Sequence, residues 1–109
     1  MSFIYVASPY ASDDPVVTKK RVERVCEYMV YLADRGIAAY SPIVHNHQLV
    51  LAGARLTPDQ WMMLDFALLR SAKELRVLLL DGWEYSVGVR QEIVFAERSN
   101  IPVSYTLGG

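Results

Sequence analysis

The run LRVLLL, residues 75–80, is the most apolar stretch of the chain and constrains its fold more than any other segment. A short strand that is apolar on both faces belongs in the middle of a parallel sheet with helices on either side. The neighbouring segments supply those helices. FIYVAS, residues 3–8, reads as a first strand ending in a Ser-Pro turn, and DDP then gives a cap and a first-turn proline. Val22, Val25, Cys26, Met29, Leu32 and Ala33 recur at helical spacing until Gly36. IAAYSP is a second strand, and residues 45–56 read as a short helix with a turn at Gly53. TPDQ, residues 57–60, opens a helix running to about Lys73, with Thr57 as cap, Pro58 in the first turn and Gln60 closing a capping box. After LRVLLL comes a polar turn and a helix to near Asn100, and IPVSYT is a closing strand whose proline suits a sheet edge.

Strands alternating with helices imply right-handed crossovers. The expected fold is therefore α/β, a flavodoxin- or Rossmann-like three-layer sandwich with a four- to five-stranded parallel sheet. The 109 residues form one domain spanning 1–109. A net charge of -1 gives no electrostatic case for binding a nucleic-acid polymer or a membrane surface. The one basic cluster, KKRVER, reads as the solvated face of a helix. A single cysteine, no signal peptide and no long apolar run point to a cytoplasmic protein.

Ligands of such sheets bind outside the carboxyl ends of the strands, at a switch in strand order. The segments leaving those ends are Ser8-Pro9-Tyr10, Ser41-Pro42 with His45 and His47, and residues 81–86. Two acids sit oddly near them. Asp65 falls inside the apolar stripe Trp61, Leu64, Leu68, Leu69 and Ala72, where an ionised carboxylate costs several kcal/mol unless partners or water reach it. It either caps a neighbouring loop or marks where the stripe opens on a polar pocket. Glu92 borders the face that Val89, Ile93 and Ala96 turn to the sheet, and its side chain leans back over Gly88. With no side chain there, Gly88 lets a ligand approach the acid.

Ser86, at the expected N-cap, is both a sufficient cap and a ready anion contact. Tyr10 could orient a carboxylate or pack on a loop. Asp81 and Trp83 could line the pocket, the indole stacking on a base. The pair His45 and His47, at i, i+2 with no third ligand nearby, is weak ground for a metal, and none is expected.

The segments YVASPY, SP-V-H, WMMLD and GWEYSVGVRQE together resemble the nucleoside 2-deoxyribosyltransferase-like superfamily, most closely its small DUF1937-type members. The S-x-G-V-x-x-E element from Ser86 to Glu92 is also similar to the deoxynucleoside 5′-monophosphate N-glycosidases of that superfamily. The resemblance covers nearly the whole chain. It implies that Glu92 is the nucleophile at the anomeric carbon, and that Asp65 contacts sugar or base and assists protonation of the leaving group. It further implies that Tyr10 orients the nucleophile and that Ser86 helps bind a 5′-phosphate. Ser8, Gly88, Asp81, Trp83 and His45 complete the expected substrate contacts.

The expected activity is cleavage of the N-glycosidic bond of a deoxynucleoside monophosphate or nucleoside, by hydrolysis or transfer, without a cofactor. The partner is a small molecule, and a homodimer or larger assembly is expected, because Trp61, Met62, Met63 and Phe66 cannot all face one sheet. One rival is a non-catalytic nucleotide- or nucleotide-sugar-binding module. Another is a glycosidase on a different ribosyl donor, such as a dinucleotide.

Overall fold

Alternating side chains of the first strand divide the molecule into its layers. A computed structural model of the protein describes residues 2–108. In strand β1 (Ile4–Ala7), Ile4 and Val6 point to one side of the sheet, with Val25, Tyr28 and Leu32. Tyr5 and Ala7 point to the other, with Leu69, Val89 and Ala96. The first side is covered by helix α1 (Pro15–Asp34), and the second by α3 (Pro58–Leu69) and α4 (Val87–Arg98). Strands β2 (Ala39–Tyr40), β3 (Glu74–Leu78) and β4 (Val103–Thr106) complete an all-parallel sheet of four strands in the order β2-β1-β3-β4. Helix α2 (Pro42–Leu51) follows β2 directly. This is the expected α/β three-layer arrangement, with LRVLLL supplying the interior strand β3 and IPVSYT the edge.

The chain runs from β1 to β2 on one side, then passes back to β3 on the other. The switch in strand order therefore lies between β1 and β3. Register fixes their ends: Ala7 pairs with Val77, so the loops beginning at Ser8 and Leu79 leave the sheet side by side.

Helix starts follow the local chemistry closely. Asp14 caps α1 by accepting from the Val16 N–H at 2.9 Å, with Pro15 next. Thr57 and Gln60 make the reciprocal capping box of α3, at 3.2 and 2.8 Å. Ser86 caps α4 by accepting from the Val89 N–H at 3.2 Å.

Other boundaries differ from the sequence reading. Helix α2 begins at Pro42, because Ser41 accepts from the Val44 N–H and so caps a helix where the end of the second strand is expected, three residues before the expected start at 45. Helix α3 stops at Leu69, short of Lys73. On α1 the buried line is Val22, Val25, Tyr28 and Leu32; Cys26 is only half-buried and Ala33 is exposed. The largest departure is on α3. Leu64 and Leu68 are exposed, and the buried residues of that helix are Asp65 and Leu69. Among the described residues, no helix is long and apolar enough to cross a membrane.

Candidate functional site

Where the loops after β1 and β3 diverge, a crevice of about 600 Å³ opens between them, bounded further by α2, α3 and the start of α4. Its size lies within the range of about 300–1,000 Å³ typical of small-molecule sites. Both anomalous acids line it, together with Ser8, Tyr10, Ser86 and Gly88. Seen from the sheet, Glu92 descends from α4 and Asp65 from α3, so two helices on one face deliver the pair.

Glu92 is 4% exposed. The Tyr5 hydroxyl donates to its Oε2. Burial pushes the Glu92 carboxyl up to about 8, the Tyr5 hydroxyl opposes the rise, and the nearby Asp65 charge adds to it. The balance is reasonable in magnitude. One hydrogen bond to a charged group contributes about 1.5–3 kcal/mol, while an ion removed from water loses several. Tyr5 is itself wholly buried, and burial together with the Glu92 and Asp65 charges holds its proton firmly in place.

Asp65 is 7% exposed, and its Oδ1 accepts from Asn46 Nδ2 at 2.9 Å. Burial raises the Asp65 carboxyl, against the pull of Asn46 and of His45. Asn46 is oriented in turn by His45, whose Nδ1 lies 2.9 Å from Asn46 Oδ1. Tyr40 stands close enough to both acids that burial and their two charges push its hydroxyl up to about 12.

Gly88 has open space on its side-chain face. An added Cβ would meet only Ser86 Oγ, at 4.0 Å. Gly88 and Glu92 line the same crevice. Ser8, just after β1, is 4% exposed, and its Oγ is buried with no hydrogen-bond partner among the described residues.

Several expected residues stand elsewhere. The hydroxyl on Glu92 belongs to Tyr5 and not to Tyr10. Tyr10 is three residues beyond the end of β1 and pairs with His47, its hydroxyl 2.9 Å from Nδ1 and the rings edge to face. Trp83 does not line the crevice; it packs on the core behind α4 and against the Tyr105 ring, with centroids 5.8 Å apart. The indole in the crevice wall is Trp61 of α3. Asp81 is exposed and offers only its carbonyl oxygen, to Arg21. His45 is exposed and does not line the crevice; it acts on the site through Asn46 and through its pull on Asp65. Among the described residues, no group of three or more His, Cys, Asp or Glu side chains is placed to hold a metal ion.

Four residues of the site are not among those the sequence singles out: Trp61, which reads there only as part of an apolar stripe, with Tyr5, Asn46 and Arg21. Tyr5 had a signal, since a tyrosine in a buried strand needs a partner for its hydroxyl. Asn46 was passed over between two histidines. Arg21 was read as part of a solvated helix face.

A doubly wound parallel sheet with a paired-acid crevice at its switch point defines the class of this protein. More particularly, the chain belongs to the DUF1937 family: the model described as "Domain of unknown function (DUF1937)" matches residues 2–107. No curated protein matches the chain.

Proposed function

We propose that the crevice cleaves the N-glycosidic bond of a deoxynucleoside 5′-monophosphate or nucleoside, with Glu92 as nucleophile. The observation that carries this reading is the Glu92 carboxyl group, buried at a crevice that Gly88 also lines and held by the Tyr5 hydroxyl. The resemblance of the Ser86–Glu92 element to nucleotide N-glycosidases of the nucleoside 2-deoxyribosyltransferase-like superfamily supports it. A site that only bound an anionic ligand would gain nothing from two buried acids.

In the proposed reaction, ionised Glu92 attacks the anomeric carbon as the bond to the base nitrogen breaks. Positive charge develops at that carbon, and a carboxylate beside it either stabilises or traps it. Asp65, whose proton burial helps retain, donates to the departing base. Asp65 then takes a proton from water, or from a second base, as that acceptor attacks the sugar and frees Glu92. The Tyr5 hydroxyl holds the attacking oxygen pair in one orientation throughout. Trp61 offers a face for the base, and the start of α4 at Ser86 offers N–H groups to a phosphate.

We further propose that the protein acts as a homodimer or larger assembly. A second, apolar groove of about 680 Å³ runs between α3 and α4, lined by Met62, Met63, Phe66, Val94 and Phe95. It adjoins the crevice, since Met62 and Gln91 line both.

The test of activity is incubation with pooled deoxynucleosides and their monophosphates, followed by detection of free base. Release by the native protein that is absent in Glu92→Gln is the expected result. No release from any substrate, or equal release from Glu92→Gln, would remove the nucleophile role.

A further inference from the structure

Arg21 lies on α1, on the opposite face of the sheet from both acids, yet its guanidinium reaches round to the crevice mouth and lines it. It donates to the carbonyl oxygens of Ala11 at 2.8 Å and Asp81 at 3.0 Å, with a longer contact to Tyr10 at 3.5 Å. One side chain thus ties the loop after β1 to the loop after β3. Gly82 makes the passage possible: its φ is +87°, and a Cβ there would stand 2.7 Å from Arg21 Nη2.

Every one of these partners is a neutral carbonyl. The described ion pairs are Arg24–Glu27 and Arg76–Glu74, so no acid neutralises Arg21. Of its five N–H donors, three are engaged, which leaves Nε and one Nη2 hydrogen for another acceptor. Arg21 is the one lysine or arginine in the crevice wall. Two other features lie at the same mouth. The α4 N-terminus presents its unpaired N–H groups beyond the Ser86 cap. Ser8 Oγ, buried and without a partner among the described residues, directly follows β1 in the wall of the same crevice.

We infer that Arg21 is the specificity-determining cation of the crevice, gripping a terminal phosphate of the substrate together with Ser8 Oγ and the start of α4. This rests on the nucleotide-cleaving reading above and names which substrate class it takes: phosphomonoesters over uncharged nucleosides. A phosphomonoester carries nearly two negative charges at neutral pH, and a crevice holding two carboxyls would repel it without a compensating cation. The planar guanidinium fork suits phosphate oxygens better than a lysine would.

The experiment compares the native protein with Arg21→Met and Arg21→Lys by two measurements. In the first, thermal unfolding is followed in inorganic phosphate and in chloride at equal ionic strength. Phosphate should raise the Tm of the native protein, leave Arg21→Met unmoved, and act partially on Arg21→Lys. In the second, binding of matched deoxynucleosides and monophosphates is measured by calorimetry. Arg21→Met should lose about ten- to a hundredfold in affinity for the monophosphate and little for the nucleoside. Arg21→Gln serves in place of Arg21→Met if the latter does not fold. No phosphate response in the native protein overturns the inference, as does an equal response in Arg21→Met. Equal losses on nucleoside and monophosphate reduce Arg21 to a strap between loops. A phosphate response that depends on Arg21, without any base release, sustains the anion site while the glycosidase reading falls.

Discussion

Between about pH 4.5 and pH 8 the native protein holds a proton at Glu92 that the unfolded chain has released. Below that window both states are protonated, and above it the native carboxylate is ionised and buried. Unfolding within the window sheds a proton, so stability falls as pH rises, by up to about 1.4 kcal/mol per pH unit. Glu92→Gln should flatten this slope, and should exceed the native protein in stability above about pH 8. Denaturant titrations at pH 5, 7 and 9 check it; parallel pH dependences in both proteins would contradict the burial argument. Activity needs the Glu92 carboxylate and the Asp65 proton together: kcat/KM should pass through a maximum with pH, its Glu92 limb rising toward about 8 and its other limb falling as Asp65 loses its proton. Tyr5→Phe removes the hydroxyl that favours ionisation. The rising limb should then move up by about one to two pH units, the equivalent of one hydrogen bond to a charged group. An unmoved limb would mean that Tyr5 only packs.

Helix α4 concentrates the site into its first turn and a half: Ser86 as cap, Gly88 as clearance, Glu92 as acid. Gly88→Leu isolates the clearance. A helix gains roughly 0.5–1 kcal/mol from such a change, and no neighbour opposes the new Cβ. The variant should match or exceed the native Tm and fail to bind nucleotide in calorimetry; normal binding would show that this face does not meet the ligand. Much of this element was legible, because caps and side-chain lean are local properties. What lies between elements was not. Helix α3 is apolar nearly all round, so spacing alone could not reveal that Asp65 turns inward while Leu64 and Leu68 face out. The partner of Glu92 was equally hidden. The sequence places Tyr5 and Tyr10 both near the end of β1, and only the register of β1 against β3 under α4 selects Tyr5. Arg21 was obscure for a related reason, since its long side chain acts ten residues back along the chain, at Ala11.

Taken whole, the molecule leaves apolar surface on one flank. Met63 is 72% exposed and Leu64 47%. Beside them Phe66 and Phe95 stack with centroids 4.5 Å apart, forming the floor of the α3–α4 groove. Proteins that remain monomeric rarely expose contiguous apolar patches of this kind. Light scattering at micromolar concentration should give at least twice the 12.3 kDa chain mass. Met63→Glu, which sets a charge on the patch without touching the crevice, should shift the protein toward monomer. A native monomer would end the proposal of self-association.

The placement of β1 also bears on how the protein emerges from the ribosome. This strand is made first, yet it lies inside the sheet with a neighbour on either edge. Its partner in β2 begins at Ala39 and its partner in β3 at Glu74, and the Tyr5 hydroxyl waits for a residue 87 positions downstream. At about 5–20 residues per second, the wait for Glu92 lasts roughly 4 to 17 s. Until β3 is made, Ile4, Tyr5, Val6 and Ala7, all buried in the finished protein, have only the two-residue strand β2 to pair with. A nascent chain of this protein therefore carries an apolar strand with an open edge until Glu74–Leu78 has been made, and that strand is where a chaperone or an errant neighbour would first take hold.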